Sequence, residues 1–319
     1  MTSYIIRRIL WLIPTLFFVT VINFLLVRWV PGSAVDVIEA TLSQGGTVNI
    51  DRQAIIHMLG LDVPVHIQYI KWISGIVLHF DFGTSLIQGR PILDMIVERL
   101  PVTIELGLFS LIIGNAIAVP LGIITAARQD TMIDYVLRSI SVALIAIPGF
   151  WLGTLVMIYP SVWWGWSPPV ELIPFTKDPL GNLYMFIIPG VINGTMMSGM
   201  SMRLIRTQML EVARQDYIRT AWAKGLDEKT VLLRHAVRNA FIPVLTMWGN
   251  SLGMIFGGVV IMEQIFCIPG MGLLMLQALN NRDYPLICGI TLFMSIIVMF
   301  SNLITDISYT WLDPRVRFD

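Results

Sequence analysis

Apolar runs about as long as a bilayer is thick recur six times along this 319-residue chain, and no other feature limits its fold so tightly. They are Ile9–Val30, Val102–Ala126, Val136–Pro160, Tyr184–Met202, Phe241–Met262 and Leu286–Thr305. A helix needs about 20 residues to cross the hydrocarbon core. Inside that core every backbone N–H and C=O must be paired within the protein, which uninterrupted apolar runs of this length do as helices, so the expected fold is all-α and polytopic, with about six transmembrane helices. The chain is 55% hydrophobic and only 13% charged, in keeping with this. Its 21 basic and 21 acidic residues cancel, which gives no general attraction to nucleic acid and leaves any electrostatic message to placement. The first run follows Arg7 and Arg8, as in a signal peptide, yet it exceeds the roughly 7–15 apolar residues of one and reads as an uncleaved anchor. The third contains Pro148-Gly149 at mid-depth, which predicts one kinked span.

Placement of the basic residues sets the orientation. With a cytoplasmic N-terminus, the inner segments hold Arg7, Arg8, Arg128, Arg138, Arg203, Arg206, Arg214, Arg219, Lys224, Lys229, Arg234, Arg238, Arg315 and Arg317, fourteen of the 21. That asymmetry satisfies the positive-inside rule and puts both termini inside. Arg28, near the outer end of the first span, is expected to snorkel to the headgroups, and Trp163, Trp164 and Trp166 to form an interfacial belt. Three parts follow: residues 1–30 with the first span, an extracytoplasmic cap at 31–101, and a core at 102–319 that contains a cytoplasmic loop at 203–240. In the cap, the spacing of Ile67, Ile70 and Ile73-Ser74 suits short amphipathic helices lying against the membrane or the outer ends of the spans.

The inner loop reads RLIRTQMLEVARQDYIRTAWAKGLDEKTVLLRHAVRNA. Leu210, Ala213, Tyr217 and Ala221 recur at three- and four-residue steps, which predicts an amphipathic helix over Thr207–Lys224. Gly225 suits the left-handed position after its end, with Leu226 as the hydrophobic contact of a Schellman motif. Asp227 then caps a second short helix, which Pro243 leads into the fifth span. By charge pattern alone, such a unit reads as a basic loop that merely anchors topology.

Other constellations carry two readings each. Glu263 is either a snorkelling carboxylate or one that faces a cavity. Gly249, Gly253 and Gly257 on the fifth span, and Gly190, Gly194 and Ser198 on the fourth, permit close helix packing or mark a subunit seam or gate. Met196, Met197, Met200 and Met202, with Asn250, line a passage or fill a core. His57, His66 and His79 sit at spacings no single helix face brings together, so no metal site is expected. Cys267 and Cys288 read as packing residues, with a bridge between them left open.

Several separated stretches resemble one family. YIRTAWAKGL from Tyr217, followed by RHAVRNAFIP from Arg234, is similar to the EAA loop of binding-protein-dependent ABC importers, and more narrowly to the dipeptide, oligopeptide and nickel permeases. The amino-terminal YIIRRILWLIPTLFFVTVINFLLVRWVPG, then GLDVPVHIQY, DFGTS, ERLPVTIEL, GGVVIMEQIFCIPGMG and LDPRVR occur in that family's order. Arg219 and Thr220 depart from the general loop, where Glu and Ala stand, and Ile242-Pro243 falls about five positions late. Both departures resemble the subfamily's own form.

The resemblance implies a type I importer permease in a prokaryotic inner membrane. It implies pairing with a second, similar permease, two cytoplasmic ABC ATPases and an extracytoplasmic solute-binding protein, with peptides as cargo and nickel chelates or glutathione as alternatives. Tyr217, Thr220, Ala221, Ala223, Lys224, Gly225, Leu226, Arg234, His235, Arg238 and Asn239 would then form the surface that couples to the ATPases. The chain has no G-x-x-x-x-G-K-[ST] cradle, so ATP and Mg are expected on the partner ATPases and no cofactor on this chain. A stand-alone secondary transporter would instead place ionisable coupling residues within the bundle. The topology makes a direct prediction: Gly46→Cys and Trp164→Cys label with an impermeant thiol reagent in intact cells, whereas Lys229→Cys labels only after permeabilisation.

Overall fold

The computed structural model describes residues 2–29, 35, 52–58, 62–169 and 171–312. Gly45-Gly46, Arg315 and Arg317 lie outside these residues, as do the surroundings of Asn250, Gly253 and Gly257 within their helix. Among the described residues the only β pairing is one isolated bridge between Thr84 and Pro91, and the architecture is all-α. The helices are α1 (Thr2–Trp29), α2 (Arg52–Met58), α3 (Val65–His79), α4 (Ile92–Ala127), α5 (Met132–Ala146), α6 (Gly149–Trp164), α7 (Pro179–Ala213) and α8 (Asp216–Ala223). They continue with α9 (Glu228–Thr230), a π-helical stretch at Val231–Ala236, α10 (Val237–Ile265), α11 (Met271–Asn280) and α12 (Tyr284–Leu312). Four of the described helices are long and apolar enough to cross a membrane, at Ile6–Leu26, Ile92–Ala127, Pro179–Ala213 and Tyr284–Thr305, and α5 with α6 would make a fifth. The run Phe241–Met262 falls within α10.

The chain divides into two compact units, Met1–Pro101 with Pro269–Phe300, and Val102–Ile268 with Ser301–Asp319. In the first, α3 packs on α1 through aromatic rings, with Phe24 meeting Tyr69 and Trp72 at centroid separations of 5.3 and 5.5 Å. Tyr69 and Thr20 share a hydroxyl hydrogen bond of 2.8 Å. The packed face is therefore Tyr69, Trp72 and Ile76, while Ile67 and Ile70 stand on an exposed face of the helix. Broad rings bury more area than an isoleucine does, and they decide which face turns inward. Arg28 lies over the Phe24 ring at 3.5 Å and donates to Gln68 Oε1 at 3.1 and 2.5 Å, a local clamp at the end of α1.

Asp283, 2% exposed, organises a second part of this unit. Its carboxylate accepts from the Ser85 hydroxyl at 2.5 Å and from the amides of Leu86 at 3.2 Å and Leu286 at 3.3 Å. It thereby caps α12 and holds the DFGTS turn, in which Gly83 has φ +85°.

In the second unit α7 is the central element. Its start is capped by Asp178, which accepts from the amides of Leu180 and Gly181, with Pro179 at the first helical position. The predicted third span is broken rather than kinked: α5 and α6 meet at 86°. Pro148 has no N–H to donate, and it holds Ile147 in extended backbone at φ −78°, ψ 121°, so the helix ends at Ala146 and restarts at Gly149. The predicted Thr207–Lys224 helix is likewise two, because Gln215 is extended at φ −74°, ψ 148° and separates α7 from α8. Conversely, Pro243 opens no new helix and lies inside α10.

Close backbone approach sets the spacing between α7 and its neighbours. A Cβ on Gly194 would stand 2.7 Å from the Ser110 carbonyl oxygen of α4 and 2.9 Å from the Gly114 nitrogen. One on Gly190 would stand 3.4 Å from Phe109 Cβ, an ordinary contact. Gly194→Ala is thus expected to destabilise the purified chain by about 1–3 kcal/mol, because neither backbone can yield. Gly190→Ala is expected to be neutral or stabilising by up to about 1 kcal/mol, since alanine loses less entropy in a helix. Melting temperatures of the two detergent-solubilised variants check the contrast.

Candidate coupling surface

The surface begins where α7 ends. Two tight bonds, Arg214 N–H to Glu211 O at 3.3 Å and Gln215 N–H to Val212 O at 3.0 Å, close the last turn before the chain re-enters α8. Asp216 in the first turn suits the positive end of the helix dipole. Its ion pair with Arg219, 3.5 Å between side chains that are both largely exposed, contributes little. One face of α8 seats Ile218 and Ala221 in a cluster with Ala118, Met202, Ile205, Met209, Val231, Ala236 and Ala240. The other presents Tyr217 and Trp222, 43% and 46% exposed.

Gly225 has φ +76°, the left-handed conformation that its position required, and its N–H reaches Trp222 O at 2.9 Å. Nothing lies within 4 Å of where its Cβ would be, so conformation rather than space selects glycine there. Leu226 packs against the α8 cluster. The Asp227 carboxylate accepts from the Thr230 amide at 3.2 Å and caps α9. Hydrogen bonds from the Thr230 side chain, then its backbone, hold this carboxyl below the ordinary carboxylate range. The cap therefore contributes above the unfolded-state pKa and is lost as pH falls through the lowered folded value.

The π-helical stretch explains how two arms meet one core. Its wider turn brings residues five apart onto one face, so Val231 and Ala236 are both buried in the cluster that also holds Ala240. Leu233, 49% exposed, and Arg234 turn outward instead. Asn239 Nδ2 donates to the Tyr217 hydroxyl at 2.8 Å and ties α10 to α8. Of the loop residues singled out from sequence, Ala221 is buried, Leu226 and His235 are half-buried, and Tyr217, Thr220, Ala223, Lys224, Gly225, Arg234, Arg238 and Asn239 are exposed. An open groove of about 450 Å³ runs beside the end of α7, lined by Arg206, Thr207, Leu210, Glu211, Arg214 and Gln215.

The other candidates scatter. Glu263 is fully buried and accepts from the Thr103 hydroxyl at 2.6 Å. Gly249 faces Thr305, whose Cγ2 lies 2.4 Å from a would-be Cβ, and Met196 is half-buried with its sulfur against Gly149. Met200 is 69% exposed. Both cysteines are free, Cys288 buried and Cys267 exposed at φ 52°, so Cys267 does not serve as the packing residue expected. Sequence reasoning passed over Asp134 and Asp283. Asp134 stands in the first turn of α5 and Asp283 directly precedes α12, and those positions were the available signal.

Comparison with known proteins fixes the family. Residues 118–318 match the family described as binding-protein-dependent transport system inner membrane component, and residues 1–107 match its N-terminal counterpart. This chain belongs to that family. AppB of Bacillus subtilis (strain 168), an oligopeptide transport system permease protein, is 38% identical over 323 residues, covering all of both chains. GsiC of Salmonella typhi, a glutathione transport system permease protein, is 35% identical over 318 residues with the same full coverage. Among solved structures, an amino acid ABC transporter aligns at a TM-score of 0.52 and 13% identity, over 68% of this chain and 94% of that one. The MetNI methionine ABC transporter gives 0.51 and 16%, over 69% and 96%. These likenesses show a shared permease fold, and the inner membrane component described here is a multi-pass transport subunit.

The Tyr217–Asn239 bond is open to a direct test. Tyr217→Phe and Asn239→Ala are each expected to cost about 0.5–1 kcal/mol. The double variant should cost no more than the larger single, because both remove the same bond. Protection of the 224–230 turn from limited proteolysis reads the difference.

Proposed function

We propose that the chain is the transmembrane permease subunit of an ATP-driven importer that takes up peptides delivered by an extracytoplasmic binding protein. The observation that carries this reading is the α8 unit: a short helix whose inner face is locked into the membrane-domain core while Tyr217, Trp222 and Leu233 stay exposed. Exposed apolar side chains on an otherwise polar surface suit a docking contact, and the inner side assigned by the basic residues makes a cytoplasmic ATPase the fitting partner. ATP and Mg would be bound by two such ATPases, and this permease would pair with a second similar one. Family membership supports the ATPase and binding-protein partners.

Peptide cargo is supported by the oligopeptide permease at 38% identity, and the glutathione permease at 35% acts on what is itself a small peptide. Nickel chelates remain the alternative within the same mechanism. A stand-alone secondary transporter fits less well, because the buried carboxylates Asp134 and Glu263 are engaged by Arg206 and Thr103. Transport would proceed by alternating access: ATP binding closes the ATPases, the α8 unit moves with them, and the helices exchange inward for outward opening.

Gly225→Val provides the test. A β-branched residue in the left-handed region costs on the order of 1–2 kcal/mol, while the open space around it leaves the packed helices undisturbed. The variant complex should insert normally yet lose the stimulation of ATP hydrolysis by peptide-loaded binding protein that the unmodified complex displays. Stimulated hydrolysis and uptake at unmodified levels would overturn the coupling role.

A further inference from the structure

Asp134 is fully buried at the start of α5, where a lone carboxylate would be costly. It is met by a two-pronged guanidinium: Arg206 Nε donates to Oδ1 at 2.9 Å and Arg206 Nη2 to Oδ2 at 2.7 Å. The Asp130 amide adds a third donor at 3.1 Å, and Arg138 Nε stands 3.3 Å from Oδ1 as a second cation. Paired forks of this kind fix the relative angle of the elements that carry them, which a single-point lysine contact does not.

Both partners occupy decisive positions. Arg206 lies between Ile205 and Met209 on α7, the residues whose buried side chains seat Ile218 and Ala221 of α8. Asp134 lies on α5, whose far end leads into the 86° break. Further along the same contact, a Cβ on Gly199 would stand 2.7 Å from the Ser141 carbonyl and 2.8 Å from Ile145, so α7 and α5 touch from the ion pair nearly to the break. Past the break, α6 begins with Gly149 against Met196 of α7.

We infer that the Asp134–Arg206 ion pair is a positioning lock: it makes α5 follow α7, so that displacement of the α8 unit by its ATPase reaches the α5–α6 break. Asp134 and Arg206 contact neither nucleotide nor cargo in this scheme and act through α7. Stability alone does not call for the pair, since apolar packing of similar volume serves a core as well. What the fork adds is a fixed angle between two helices that must move together. The inference rests on the proposed importer function.

The test uses the complete transporter in lipid vesicles and measures cargo taken up per ATP hydrolysed. Asp134→Asn together with Arg206→Gln removes both charges of the fork, and Arg138, which loses its ion pair with Asp134, is 38% exposed and keeps contact with water. The double variant is expected to assemble and hydrolyse ATP, with the transport ratio reduced about fivefold or more. Arg206→Lys keeps the charge, and so assembly, but loses the fork and should lower the ratio in the same direction. An unchanged ratio in Arg206→Lys overturns the lock, and that result decides the matter even where the double variant fails to assemble. If the unmodified complex shows no hydrolysis stimulated by binding protein, the importer reading fails first. If it does, and the variants transport as efficiently per ATP, only the lock fails.

Discussion

The carbonyl oxygen of Ser110 lies where a side chain on Gly194 would begin, and the arrangement of the second unit depends on that near-contact between α4 and α7. Hydrocarbon offers no hydrophobic drive to bring one apolar helix against another, so association depends on dispersion and backbone proximity, both of which fade within a fraction of an ångström. The same logic repeats along α7. Gly122 of α4 would place a Cβ 2.8 Å from Ile205, and Gly199 meets the Ser141 carbonyl. A long helix held against two neighbours at van der Waals range behaves as a beam, and its free end carries the α8 unit.

Among the described residues the buried carboxylates stand near helix ends, and each is met by a partner far along the chain. Asp134 meets Arg206, Glu263 meets the Thr103 hydroxyl, and Asp283 gathers a hydroxyl with amides from a distant turn. Burial would make each carboxylate expensive if it stood alone. With partners, they define angles and registers that uniform apolar packing leaves free. The exposed surface of the α8 unit has the opposite character: its geometry is set by backbone rules, with Gly225 in the left-handed region, Asp227 as a cap and a π-turn that aims Val231 and Ala236 inward.

Much of this was legible in the chain itself. Apolar length specifies helices because an uninterrupted apolar run of about 20 residues fits a helical crossing, whereas the strands of a barrel are about half as long and alternate, and the all-α architecture follows without any knowledge of contacts. The turn at Gly225-Leu226-Asp227 was equally readable, because glycine conformation and aspartate capping are local properties. Where the reading stopped short, two local tendencies competed. Apolar periodicity ran straight through Gln215, yet the chain breaks there, because Ile218 and Ala221 must reach a core that lies off the axis of α7. Periodicity marked Ile67 and Ile70 as an apolar face without saying what meets α1, and that contact is made by Tyr69 and Trp72, through ring area and the Thr20 hydroxyl.

Sequence by itself therefore determined the class of fold, the helical runs, the capped turn and, through separated motifs, the family. Tertiary structure alone decided that Asp134 pairs with Arg206, 72 positions away, that Asn239 reaches Tyr217, and that the Pro148 kink opens to 86°. The division has a physical cause. Local conformation is governed by interactions a few residues long, which any stretch of chain displays. Pairing across helices is governed by which backbones approach closest, and that distance is known only once every helix has found its neighbours.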